Sequence, residues 1–217
     1  MENQADPITY LIYLHAALGG IALLAGGLAM IFKKGSPRHK GSGKLFFFCM
    51  LGSALIALVV ALIPTHSSPF LLAIGVFSLY LLLSGYRALR FKQTPTDLTI
   101  DKLISMSMIL VGISMILVPI IVSSKLNIVL SVFGAIGIFS GIRDLRLYRK
   151  PEQLKKSWLS LHLGNMMGAY IASFTAFLVV NQFFPPLVGW LGPTVVGVIY
   201  IVWWNRKLQK PKGKLKA

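Results

Sequence analysis

The chain is poor in the residues that soluble catalysis draws on. It has one cysteine in 217 residues, Cys49, which excludes an intrachain disulfide and any multi-cysteine metal site. Six acidic residues leave no carboxylate in the middle of an apolar run, which argues against a carboxylate proton relay. A Walker loop, a dinucleotide fingerprint, a nucleophile elbow and a paired-histidine zinc helix are all missing. No connector is long enough to hold a soluble catalytic domain. Charge is scarce too, at 13% of residues against 55% hydrophobic, too apolar a balance for a water-soluble chain of this length.

What the sequence does have is long apolar stretches. A helix needs about 20 mostly apolar residues to cross the hydrocarbon of a bilayer. Seven runs qualify, at about 8–32, 45–63, 70–87, 103–122, 126–142, 159–184 and 187–204. Short connectors join them, so the expectation is an all-α polytopic bundle of seven transmembrane helices forming one domain over residues 1–205. A basic tail, "RKLQKPKGKLKA", follows at 206–217.

The net charge of +16 is distributed in a way that fixes a topology. Lys33, Lys34, Arg38, Lys40 and Lys44 follow the first run. Arg87, Arg90, Lys92 and Lys102 follow the third, and Arg143, Arg146, Arg149, Lys150, Lys155 and Lys156 the fifth. The rest follow the seventh, so that of 22 basic residues only Lys125 falls on the opposite side. The positive-inside bias makes the basic side cytoplasmic, with the N-terminus outside and the C-terminus inside. Losing or adding one span would scatter these loops over both faces. The charge is therefore accounted for by topology and by attraction to anionic lipid heads, and it gives no reason to invoke a nucleic acid.

Smaller signals agree. Asp6 and Pro7 read as an N-cap and a first-turn proline. Tyr10 and Tyr13 fall near the outer interface, and Trp158, Trp203 and Trp204 near the inner one. The opening "MENQADP" has no basic region and no cleavage pattern, so the first run reads as a retained helix rather than a signal peptide.

Polar groups inside a membrane are costly enough to raise a functional question, and four histidines stand out. His15 lies about two turns below the outer end of the first run, in "LHAALGGIALLAGG". His66 sits in the outer turn "PTHSSP", His39 in the inner connector "GSPRHKGSGK", and His162 less than two turns inside the sixth run. Depth sorts them into an outer pair, His15 and His66, and an inner pair, His39 and His162. His15, Gly19, Ala22, Gly26 and Ala29 follow one helical stripe. That bare stripe suits close helix packing, with His15 hydrogen-bonded across it, or the edge of a porphyrin ligated by His15. In the sixth run, Gly164, Gly168 and Ala172 repeat the stripe more weakly.

"LHAALGGIALLAGGLAMIFKKGSPRHKGSGKLFFFCM" is similar to the opening of a bacterial family of small multipass membrane proteins catalogued as a domain of unknown function. Its pattern is H-x3-G-x-I-A-L-x2-G followed by H-[RK]-x2-G-K. The family's later block resembles "SWLSLHLGNMMGAYIASFTAFLVVN", although Lys40 stands where arginine is usual and "LHLGNM" replaces a His-Arg and Trp-Met pattern. The resemblance touches His15, Gly19, Gly20, Gly26, His39, Gly43, Lys44, His162, Met166 and Tyr170. It implies a place in the bacterial cytoplasmic membrane and marks three of the histidines, and it brings no activity with it.

Three functional readings follow. In the first, His15 with His66 and His39 with His162 each hold a haem of the b type, for redox or electron transfer across the membrane. A variant binds a divalent metal through His39, His162 and a carboxylate, Asp144 or Asp101, against which stands an ion pair of Asp144 with Arg143 or Arg146. In the second, Pro119, Asn165, Pro193, Gly134, Gly137 and Gly141 loosen helices around the path of a small-solute or ion transporter. In the third, the bundle is a non-catalytic structural membrane protein.

Overall fold

A computed structural model describes residues 7–93 and 97–209, and within them the chain forms helices joined by short turns, with no strand and with seven helices long and apolar enough to cross a membrane. They are α1 (Pro7–Ile31), α2 (Pro37–Leu62), α3 (Pro69–Arg87), α4 (Thr99–Ser123), α5 (Ile128–Tyr148), α6 (Pro151–Val180) and α7 (Pro186–Gln209). Their starts are written in the sequence. Proline opens α1, α2, α3, α6 and α7, where its missing N–H costs no helical bond. The side chains of Ser36, Ser68 and Asn127 accept from the third N–H of α2, α3 and α5, satisfying a donor that has no partner within the helix. Asp6 lies outside the described residues.

The helix ends differ from the apolar runs. α5 continues to Tyr148 and α6 begins at Pro151, so the basic residues expected in an inner connector stand on helical turns, with only Arg149 and Lys150 between them. α2 likewise begins at Pro37, which puts His39 on its first turn rather than in a connector. Hydropathy measures the thickness of hydrocarbon to be crossed; backbone hydrogen bonding carries a helix on into the headgroup region. α7 runs through the start of the expected tail to Gln209, and residues 210–217 lie outside the description.

Successive helices are antiparallel. α1 pairs with α2 and α4 with α5, while α3 and α6 pack together at the centre and α7 lies on α6. The core gathers Ala22, Phe46, Phe77, Leu82, Met108 and Ala169, among others, from α1 to α6. Outward, the surface is apolar: Leu24, Ile121 and Val196 are 75%, 76% and 70% exposed, a pattern that suits lipid on the outside.

Glycine sets the closest approaches. On the α4–α5 seam a Cβ on Gly112 would come within 2.8 Å of the Gly134 carbonyl oxygen, and one on Gly141 within 2.8 Å of the Ser105 carbonyl oxygen. Gly134, Gly137 and Gly141 thus serve packing rather than helix loosening. α4 and α7 also pass unbroken through Pro119 and Pro193, so the broken helices sought by the transporter reading are not present among the described residues.

Candidate functional site

Three of the four histidines share one bonding pattern. His15 Nδ1 lies 2.9 Å from the Ser53 carbonyl oxygen, His39 Nδ1 2.9 Å from that of Ala29, and His162 Nδ1 2.8 Å from that of Gly85. A carbonyl only accepts, so in each ring Nδ1 carries the proton. Each Nε2 is then left as the acceptor, with no protein partner among the described residues. Every one of these bonds joins two helices: α1 to α2, α2 to α1, and α6 to α3.

His15 is clamped twice, because the Ser53 hydroxyl, itself 2.9 Å from Nδ1, donates back to the His15 carbonyl at 2.9 Å. The bare stripe below it is filled by protein. Gly19 faces Ser53, Ala22 is fully buried, and Gly26 faces the rings of Tyr170 and Phe46. The flat object lying on this face is the Tyr170 ring, so close packing accounts for the stripe and the porphyrin edge expected there has no room. His15 is level with Ser53, nine residues short of the end of α2, or about 14 Å at 1.5 Å per residue. His66 stands beyond that end in an exposed single turn of 3-10 helix, hydrogen-bonded through Nδ1 to the Thr65 hydroxyl at 3.0 Å. The structure does not bring the outer pair together.

The inner pair is set at one height instead. The Phe46 and Tyr170 rings touch, with centroids 6.0 Å apart, and α2 and α6 rise from the same basic end. His39 stands seven residues below Phe46 and His162 eight below Tyr170, about 10 and 12 Å down their helices. The two imidazoles therefore stand at a similar height, His39 tied to α1 and His162 to α3. Around them the basic end is cationic. Lys34 donates to the last carbonyls of α1, Met30 at 2.6 Å and Ala29 at 3.2 Å, offsetting the negative end of the helix dipole, and its ammonium lies 5.8 Å from the Trp204 ring.

No carboxylate joins the inner histidines. Asp144, almost fully buried, accepts from Arg143 Nε at 3.0 Å and Nη2 at 2.8 Å and from the Tyr80 hydroxyl at 2.8 Å. Asp101 is held by Arg87 through two bonds of 2.7 and 2.8 Å that tie the end of α3 to the start of α4. Among the described residues no three His, Cys, Asp or Glu side chains converge on one point. The metal set of His39, His162 and Asp144 or Asp101 is thus not assembled, because arginine has claimed both carboxylates. The chain matches no protein-family model, no curated protein and no solved structure.

Sequence reasoning missed Tyr80 and the shared role of Arg143 and Asn165, whose side chains meet at 3.4 Å. A tyrosine in an apolar run carries no local signal of a carboxylate partner on another helix.

Proposed function

We propose that this protein is a haem-binding redox protein of the bacterial cytoplasmic membrane, holding one b-type haem at its cytoplasmic end between His39 and His162. One observation carries the reading: two level histidines on different helices, each with Nδ1–H tied to a backbone carbonyl and Nε2 free. That is the outer-shell arrangement that orients a ligating imidazole and raises its basicity. Two protein ligands suffice for a haem, since the porphyrin supplies the remaining in-plane nitrogens, whereas a bare divalent ion asks for at least three side chains. Lysines at the same end offer partners for propionate groups. The three carbonyl-tied histidines are also the three that the family resemblance marks.

The reading is narrower than one haem at each face, because His15 and His66 are not gathered. It places the basic end in the cytoplasm by the positive-inside bias, against anionic lipid heads. The test is haem content of the protein and four variants, purified in mild detergent from haem-replete cells. His39→Ala and His162→Ala should each lose the bound haem or convert it to a five-coordinate form. His15→Ala and His66→Ala should keep the wild-type spectrum. A haem band insensitive to His39→Ala and His162→Ala overturns the assignment.

A further inference from the structure

A second feature lies between α3, α5, α6 and α7, away from the inner histidines' carbonyl ties. It is a groove of about 330 Å³, walled by apolar side chains and reached by only a few polar ones, chiefly Arg143 and Asn165 at its basic end. Beyond the opposite end, the Trp190 ring meets Phe133 edge-on at 6.3 Å and Phe70 at 5.0 Å. Between these ends the groove is open sideways, with Phe139 at its rim 71% exposed on the lipid-facing surface. Phe133 and Arg143 are ten residues apart on α5, so the groove is about 15 Å tall.

The polar end has a defined chemistry. Arg143 neutralises Asp144, and its two N–H groups with the Tyr80 hydroxyl fill the carboxylate oxygens. Arginine is donor-only, so the Asn165 side-chain oxygen faces Arg143 Nη2 and its amide N–H2 turns away. Asn165 is 4% exposed, yet neither that amide nitrogen nor Arg143 Nη1 has a protein partner among the described residues. Both are donors. Arg143 is already paired with Asp144, so the site has no net charge left to balance an anionic head, whose burial there would be costly. A neutral head with carbonyl oxygens meets donors alone.

We propose that this groove binds, from within the bilayer, a neutral amphiphile whose carbonyl head accepts hydrogen bonds from Asn165 and Arg143 and whose hydrocarbon tail runs toward Phe133. The site does not depend on haem. Its size, its apolar lining and its few convergent polar groups are those of small-molecule sites in general. Two sources share this chemistry, a lipid-soluble quinone and an acylglycerol.

The test uses the full-length protein in detergent with two probes, a benzoquinone carrying a ten-carbon tail and a monoacylglycerol, each followed by calorimetric titration. Saturable binding of either probe supports the site and identifies its source. Asn165→Leu, which removes the donor at similar volume, should weaken binding at least tenfold, and Gly164→Leu, which projects a side chain toward Ile201 into the groove, should abolish it. Photocrosslinking of wild-type protein with a tail-end diazirine form of the binding probe gives an answer independent of any variant. Label on α5 and α7 peptides bearing Ile136, Phe139 or Val198 is expected. Absence of binding by both probes, affinity unchanged in both variants, or label confined to other helices overturns the proposal.

Discussion

Replacing Gly26 by alanine adds one methyl group at the tightest point of the α1 interface. Its Cβ would stand 2.5 and 2.8 Å from two carbons of the Tyr170 ring and 3.0 Å from the Phe46 ring. The ring has little freedom to yield, since it lies between Phe46 and Phe174, with centroid separations of 6.0 and 6.3 Å. Overpacking of this kind costs about 1–3 kcal/mol, against a gain in helix propensity of up to about 1 kcal/mol. For a chain of this size each kcal/mol of net loss lowers the melting temperature by roughly 2–4 °C. Gly20 supplies the control, because a Cβ there meets nothing within 4 Å, so Gly20→Ala should be neutral or stabilising. Tyr170→Ala removes the two closest contacts and leaves only the Phe46 ring at 3.0 Å, so in that background Gly26→Ala should cost much less, a coupling of about 1–3 kcal/mol. Thermal unfolding of the four proteins in one detergent reads the cycle. Equal stability of Gly26→Ala and Gly20→Ala, or strict additivity with Tyr170→Ala, refutes the packing argument.

Gly85→Ala sets a Cβ 2.8 Å from the Met166 backbone nitrogen, where no rotamer change gives relief, so it should destabilise the α3–α6 crossing more than Gly26→Ala does; a smaller melting shift contradicts this. Asp101→Asn leaves Arg87 with a neutral partner at a largely buried site and should cost about 3 kcal/mol, read by thermal unfolding in detergent and absent if the pair is only incidental. Ser53→Ala deletes the hydroxyl's bond to the His15 carbonyl and its contact with His15 Nδ1 but keeps the bond from Nδ1 to the Ser53 carbonyl, for a loss of about 1 kcal/mol in the same assay. Single cysteines at Ser36 and Ser67 in a Cys49→Ala background should label from the cytoplasm and from outside respectively; the reverse pattern inverts the topology.

The number of helices and the face that carries the basic residues were legible because both rest on bilayer physics, which acts on composition within a window of about 20 residues. The packing stripe of α1 was legible for a similar reason: small residues at helical spacing permit close approach whatever the partner. The ends of α2, α5 and α6 were not legible, because a charged helical turn at the headgroups looks the same in sequence as a connector. That error misplaced His39, and it separated Arg143 and Asp144 from the helix that carries them. The carbonyl partners of His15, His39 and His162 were hidden for another reason, since a backbone acceptor has no residue identity. The Tyr80–Asp144–Arg143–Asn165 network joins three helices across 85 residues of sequence, and no local pattern encodes such a meeting.

The central claim is best tested by the haem-to-protein ratio of the wild-type chain purified in mild detergent from haem-replete cells, with a pyridine haemochrome spectrum set against quantitative amino-acid analysis. A single level pair of free imidazole Nε2 atoms predicts one b-type haem per chain, low-spin and six-coordinate. A ratio near zero contradicts the assignment of His39 and His162, and a ratio near two contradicts the separation of His15 from His66.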